Sequence, residues 1–336
     1  MTFPIGQPEI IETATPEPMR RFYEDYYRPD LMAIVAVGDF ESERILELIH
    51  EHFDEDWGPD EPRELILSEV EPHDETLYSF LADPELTRSS AEILLKFEQP
   101  PVRTMEDYRH ATVSSLVRGL FSARMRELQN RNEADFANAW LGAPRLSPNW
   151  RGWTLAVTAA DGELEPAMAQ ALTEWKRIRE HGFTQTELDR QKVSMLRQAD
   201  TRFKDRENQR SGMLARRMTS VFQGRSILPG PEWTLETYQE LLPTIELSEL
   251  QAVVDEVDFE RTDSRLVMTN SPEREGLPLP TREEMEGALS TAASAEVQPW
   301  VDTTREEPLI AALPEPGRVV DEQYDEDLEL TTWTLS

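Results

Sequence analysis

The stretch IHEHFDE, residues 49–55, brings metal-ligating side chains closest together. His50 and Asp54 stand one helical turn apart and could both reach one ion. His52 lies two residues from His50, and residues two apart do not share a helix face. The pair therefore has no third ligand on its own helix, and no second helical motif accompanies it. The expected role is an exposed polar face opposite Ile45, Ile49 and Phe53. His110 precedes Ser114 by one turn, an arrangement that a general base and a hydroxyl could use. Without an acidic partner in view, His110 reads as a partly buried helix residue. His73 falls in a linker-like segment, and His181 sits at the end of a helix, where a cation suits the dipole.

Other chemical templates are absent. No Gly-x-Gly-x-x-Gly follows a strand, and there is neither a phosphate-binding Gly-x-x-x-x-Gly-Lys loop nor a Gly-x-Ser-x-Gly elbow. The chain has no cysteine, which excludes disulfides, thiolate zinc sites and thiol nucleophiles. Its 66 acidic residues against 34 basic ones, a net charge of −32, argue against nucleic acid, which demands clustered Lys and Arg. Only four of the basic residues are lysine, as suits either a protein kept hydrated in concentrated salt or an arginine-favouring genome. The basic stretch Arg197 to Arg217 interleaves Arg with Gln, Asp and Glu and reads as a solvated face. No run approaches the roughly 18 apolar residues of a membrane-spanning helix, and residues 1–6 lack the build of a signal peptide. The chain is expected to be soluble, or a piece of a longer protein whose signal lies elsewhere.

The elements that would position any chemistry are more legible. At 336 residues the chain has room for about two domains. Thr15 to Tyr27 reads as a helix, with Thr15 as N-cap, Pro16 at the first helical position and Met19, Phe22, Tyr23 and Tyr26 on one side. Pro29 ends it, and Leu31 to Val37 reads as a buried strand. Glu41 to Phe53 returns to helical period. Such a unit has no sheet of its own, so its strand partners are expected elsewhere. The segment 54–74, rich in acid and proline, reads as a linker. Beyond it, strands at 77–82, 91–99, 136–141, 150–158 and 265–269 alternate with long helices at 104–130, 164–181 and 184–208 and shorter ones at 211–223, 234–242 and 247–257. The pattern predicts α+β: a mostly antiparallel sheet with long helices packed on one face.

PIGQPEII, then a helix ending in FYEDYYRPD, then LMAIVAVGDFE resembles the closing part of the first structural unit of pitrilysin/insulinase-type zinc metallopeptidases. Residues 75–270 resemble the second unit of that family, including LVRGLFSARMRELQ and HGFTQTELDRQKVSMLRQ, and LELTTWTLS resembles the strand that opens a third. The resemblance implies that residues 1–68 are the end of a first, catalytic-type unit without its zinc motif. It makes 69–272 a complete non-catalytic unit, and 273–336 a linker leading to the first strand of a third. Members of the family hold zinc on an inverted His-x-x-Glu-His helix of the first unit, and the motif glutamate activates water. No histidine pair here matches, so no catalytic or metal residue is carried over, and substrate-binding residues are unassigned. The chain is expected to hydrolyse nothing alone and to need no cofactor, zinc belonging to the parent protein. It would help enclose a peptide or protein substrate beside an N-terminal catalytic unit absent from it. The alternative is a stand-alone, non-catalytic homologue serving an active peptidase as partner or assembly subunit. By analogy with bacterial relatives, a periplasmic or extracellular location is expected.

Overall fold

The computed structural model describes residues 6–54, 61–65, 70–99, 101–224, 227–302 and 316–336. The chain forms two compact units, Met1–Trp300 and Val301–Ser336. The first contains, in order, α1 (Pro8–Thr13), α2 (Pro16–Tyr26), a 3-10 turn at Pro29–Leu31, α3 (Ser42–Phe53), β1 (Leu77–Asp83) and β2 (Ser89–Glu98). Next come α4 (Met105–Asn130), β3 (Asn138–Gly142), β4 (Arg145–Ser147), β5 (Trp150–Ala159), α5 (Leu164–His181), α6 (Gln185–Lys204) and α7 (Ser211–Phe222). The unit closes with α8 (Pro231–Leu241), α9 (Leu247–Glu256), β6 (Arg265–Pro272) and α10 (Arg282–Ser294). The second unit is an antiparallel hairpin of β7 (Val319–Asp325) and β8 (Leu330–Leu335).

The expected α+β architecture forms. The sheet runs β1-β6-β2-β5-β3, with β4 also on β5, and every pairing is antiparallel except β1 with β6. Side chains alternate across a strand, so the register Ile93↔Leu155 and Leu95↔Trp153 puts one set of apolar residues on one face. Ile93, Leu95, Leu155, Val157 and Val267 are buried there against Val113, Leu116, Val117 and Leu120 of α4 and Ala167, Met168 and Ala171 of α5. The opposite face is more polar, and the Thr154 hydroxyl donates to Glu92 across the β2–β5 pair.

The starts of α4 and α6 and the end of α5 fall where their sequences dictate. Thr104 and Thr184 are N-caps of full capping boxes, with Asp107 and Glu187 reaching back. Gly182 ends α5 at φ +69°, ψ −162°, a region open essentially to glycine. At the heart of this junction Arg124, 1% exposed, occupies a position on α4's inward stripe where the period calls for an apolar residue. Its Nε and Nη2 donate to Glu187 at 2.7 and 2.9 Å, and Nη2 also donates to the Gly182 carbonyl at 3.0 Å. The Phe183 and Trp300 rings lie 4.9 and 5.0 Å from the guanidinium. A second anchor, Arg109 on α4, grips Glu249 of α9 with two bonds of 2.7 and 2.8 Å and also donates to Thr244.

Two regions differ from their sequence patterns. Leu31 to Val37 is apolar enough for a buried strand, yet after the 3-10 turn it pairs with no strand among the described residues, and Met32 and Ile34 are 43% and 47% exposed. Composition can favour extension, but a strand needs a neighbour to satisfy its backbone. The second difference is 273–300, expected as linker, which continues the first unit. There α10 buries Met285, Ala288 and Ala292 and packs on α5. Lys176 Nζ donates to the Ala293 and Ala295 carbonyls, Arg177 to that of Gln298, and His181 Nε2 lies 3.0 Å from the Val297 oxygen. A short, alanine-rich helix has a weak apolar stripe, and small residues suit close approach to α5. The boundary expected at 68/69, and part of the 54–74 segment, lie outside the described residues.

Burial alone would raise the Glu187 carboxyl, but hydrogen bonding and charge from Arg124, with the Thr184 N–H, outweigh it and hold it below its ordinary 4.5. The unfolded chain then binds the proton more readily, so this contribution is complete above about pH 4.5 and is lost as pH falls through the lower folded value. Glu187→Gln is expected to cost about 3–5 kcal/mol in urea unfolding at pH 7. It should also reduce the loss of stability on acidification.

Candidate functional site

The structure spreads the histidines apart. His50 Nδ1 lies 2.9 Å from Asp54 Oδ1 on the exposed face of α3, an i, i+4 pair of the kind the spacing predicts. His52 lies on the same helix and does not complete a site. Among the described residues no group of three or more His, Cys, Asp or Glu is placed to hold a metal ion, so the zinc of related peptidases does not fit these residues. His73 Nδ1 lies 2.6 Å from the Glu75 carbonyl, a local turn contact. His181 fixes the chain after α10, as described above.

His110 has company that the sequence hid. Its Nε2 lies 3.5 Å from Glu256 Oε2, at the end of α9 and 146 positions away, so no local spacing could reveal the pairing. His110, Ser114 and Arg118 form one stripe at i, i+4 and i+8 on the N-terminal half of α4. From the sheet, Phe97, Arg151 and Trp153 project from the face that carries the core, since Leu95 pairs with Trp153 and Phe97 with Arg151. Beside the buried Val113, Leu116 and Val117, this more polar flank of α4 and the ends of β2 and β5 bound a cleft of about 480 Å³. That volume lies in the roughly 300–1,000 Å³ range of ligand sites.

The cleft carries charges of both signs. Arg118 donates to Ser115 Oγ at 2.7 Å and lies 5.9 Å from the Trp153 ring. Neither Arg118 nor Arg151 has a carboxylate within ion-pair distance among the described residues. Burial, and then the neighbouring Arg151 charge, push the Arg118 guanidinium below its ordinary value. Glu106, Asp107 and Glu256 line it with His110, and Glu98 lines it beside Phe97. Backbone N–H groups of Arg103 and Thr104 hold the Asp107 carboxyl below its usual range, so it stays a capping anion. No hydrogen bond joins His110 to Ser114. The arrangement can hold a polar chain by both of its charges and by stacking on Trp153 and Phe97.

Comparison with known proteins agrees with this architecture. The family described as the Peptidase M16 inactive domain matches residues 13–195. The chain belongs to that family, within the pitrilysin/insulinase group that its segments resemble. It is similar to an Arabidopsis thaliana protein described as zinc protease PQQL-like, at 22% identity over 99% of this chain and 32% of that one. It is also similar to the probable zinc protease PqqL of Escherichia coli K12, at 23% identity over 70% of this chain and 25% of the relative. The crystal structure of the periplasmic protease PqqL from Escherichia coli superposes with a TM-score of 0.79 at 19% identity, covering 99% of this chain and 37% of that one. The chain thus spans about a third or less of the length of the curated relatives it matches.

The His50–Asp54 pair is expected to be a surface contact and nothing more. In a calorimetric zinc titration neither the natural chain nor His50→Ala should show stoichiometric binding, and the two should unfold at nearly the same temperature, since exposed pairs contribute little. Tight 1:1 binding abolished by His50→Ala would overturn this assignment.

Proposed function

We propose that this chain is a non-catalytic part of a zinc metallopeptidase and that its α4 cleft helps hold peptide substrate while another unit carries the metal and the hydrolysis. The observation that carries this reading is the cleft itself, in a chain of the inactive-domain family. It combines two guanidiniums that lack carboxylate partners among the described residues, the Phe97 and Trp153 rings, and several carboxylates. A polypeptide offers all the complementary groups at once: backbone carbonyls, side chains of both signs and apolar stems. Within this reading residues 1–68 are the end of a preceding, catalytic-type unit. The uncovered apolar residues of α2 and α3 fit that role: Phe22 is 58% and Phe53 60% exposed among the described residues, the condition of surfaces made to be covered.

Location follows the same reasoning. The solved Escherichia coli relative is described as periplasmic, and no helix among the described residues is long and apolar enough to cross a membrane. We infer an extracytoplasmic site of action for this protein as well.

The test is binding and turnover measured side by side. A fluorescein-labelled, mixed-sequence peptide should bind the purified chain in fluorescence anisotropy. The double variant Arg118→Glu/Arg151→Glu should weaken it by about tenfold, roughly 1.4 kcal/mol, while circular dichroism shows an unchanged fold. With added zinc the same peptide should remain intact. Zinc-dependent cleavage by this chain alone, or binding indifferent to the double substitution, would overturn the proposal.

A further inference from the structure

The basic stretch of α6 and α7 does something a solvated helix face does not: it converges on a second cleft. Between Arg197 and Arg217 there are seven basic residues and three acidic ones, a local excess of positive charge in a chain of net charge −32. Two of the acids are already engaged, Asp200 with Lys204 at 2.7 Å and Glu207 with Arg206 at 3.6 Å. Arg202, Arg210 and Arg217 have no carboxylate within ion-pair distance among the described residues. All three line a cleft of about 480 Å³ between the end of α6, the start of α7 and the start of α8, where Asp205 is the one carboxylate.

Two further features give the cleft its chemistry. Arg210 occupies the N-cap position of the 12-residue α7 and its side chain makes no capping hydrogen bond, so the helix's positive end borders the cleft uncapped by that residue. Met213, Pro229 and Pro231 supply an apolar wall beside the guanidiniums. Along α7 the surface continues with Met218 and Phe222, 40% and 51% exposed. A free phosphate would use the cations and leave this wall idle. A peptide with carboxylates next to aliphatic side chains would use both.

We propose that this α6–α7–α8 cleft is an anchoring site for an acidic segment of polypeptide, one carrying Asp or Glu beside aliphatic residues. The proposal rests on the reading that the chain binds peptide substrate, and it names the class of segment held at a place separate from the α4 cleft. One exposed ion pair contributes little, but three guanidiniums around one cleft engage several carboxylates of a single ligand, and guanidinium–carboxylate pairing is directional. The surrounding acidic surface is screened beyond about 8 Å at physiological salt, so short-range contact decides whether such a ligand stays.

The experiment compares two fluorescein-labelled peptides of alternating acid and leucine, one with glutamate and one with glutamine at each polar position, by anisotropy at 0.15 M salt. The glutamate peptide should bind at least about tenfold more tightly than its amide twin. Arg202→Glu/Arg217→Glu should remove that advantage, whereas Arg88→Glu, an exposed charge reversal away from the cleft, should leave it within about twofold. Met213→Gln should weaken binding of the glutamate peptide while sparing competition by inorganic phosphate. Equal binding of the two peptides, no effect of the arginine substitutions, or full displacement of the glutamate peptide by low-millimolar phosphate would each overturn the proposal. If the two peptides bind equally and Arg118→Glu releases both, only this inference falls. If neither peptide binds at all, the reading of the chain as a peptide-holding unit falls with it.

Discussion

The Arg124–Glu187 pair is the interaction on which the helical layer depends. A guanidinium and a carboxylate taken out of water cost several kcal/mol each, and attraction offsets this only with close geometry and further hydrogen bonds. Here the carboxylate receives two bonds from Arg124 and serves in the Thr184 capping box, while Arg124 also takes up the Gly182 carbonyl at the end of α5. One ion pair thereby joins α4, the end of α5 and the start of α6. The Nη1 atom is left without a hydrogen-bond partner among the described residues, and the guanidinium carbon lies 4.9 and 5.0 Å from the Phe183 and Trp300 rings. Apolar replacements could stabilise such a junction equally, but they would not specify the direction in which α6 departs.

That direction has consequences at both ends of α4. Its C-terminal half is sealed on the sheet by Leu120, Phe121, Met125 and Leu128. In its N-terminal half Val113, Leu116 and Val117 continue that seal, but the neighbouring stripe is His110, Ser114 and Arg118, and the nearby strand ends carry Arg151 and Trp153. The same two layers therefore make a core along one stripe of α4 and a cleft along the next. Because α6 is fixed to α4, the turn from α6 into α7 is carried outward, and its arginines meet α8 at a second cleft. Both clefts carry cations that lack carboxylate partners among the described residues, on a chain with nearly twice as many acids as bases, so these cations mark surfaces rather than background.

Much of the fold was legible. The long helices read at 104–130, 164–181 and 184–208 formed within a few residues of those bounds, and the α+β class followed from strands alternating with long helices. Of the segments that carried the resemblance to pitrilysin/insulinase-type peptidases, those up to HGFTQTELDRQKVSMLRQ lie within or beside the matched region 13–195, while LELTTWTLS lies far beyond it. The errors had a common origin. Leu31 to Val37 had the composition of a strand without a partner to pair with, and α10 had partners without the composition that signals burial. The Glu256 carboxylate beside His110 was invisible for the same reason, because the two residues meet only when α9 folds against α4.

By itself the sequence determined local events: where helices begin and end, which faces are apolar, that cysteine chemistry is excluded, and that no inverted zinc motif is present. Those follow from nearest-neighbour sterics, capping and periodicity, which act within a few residues. Tertiary structure alone decided which arginines lack a counter-charge and which face a cleft. Charge compensation depends on distances between elements separated by tens to hundreds of residues, and those distances do not exist until the helices are packed.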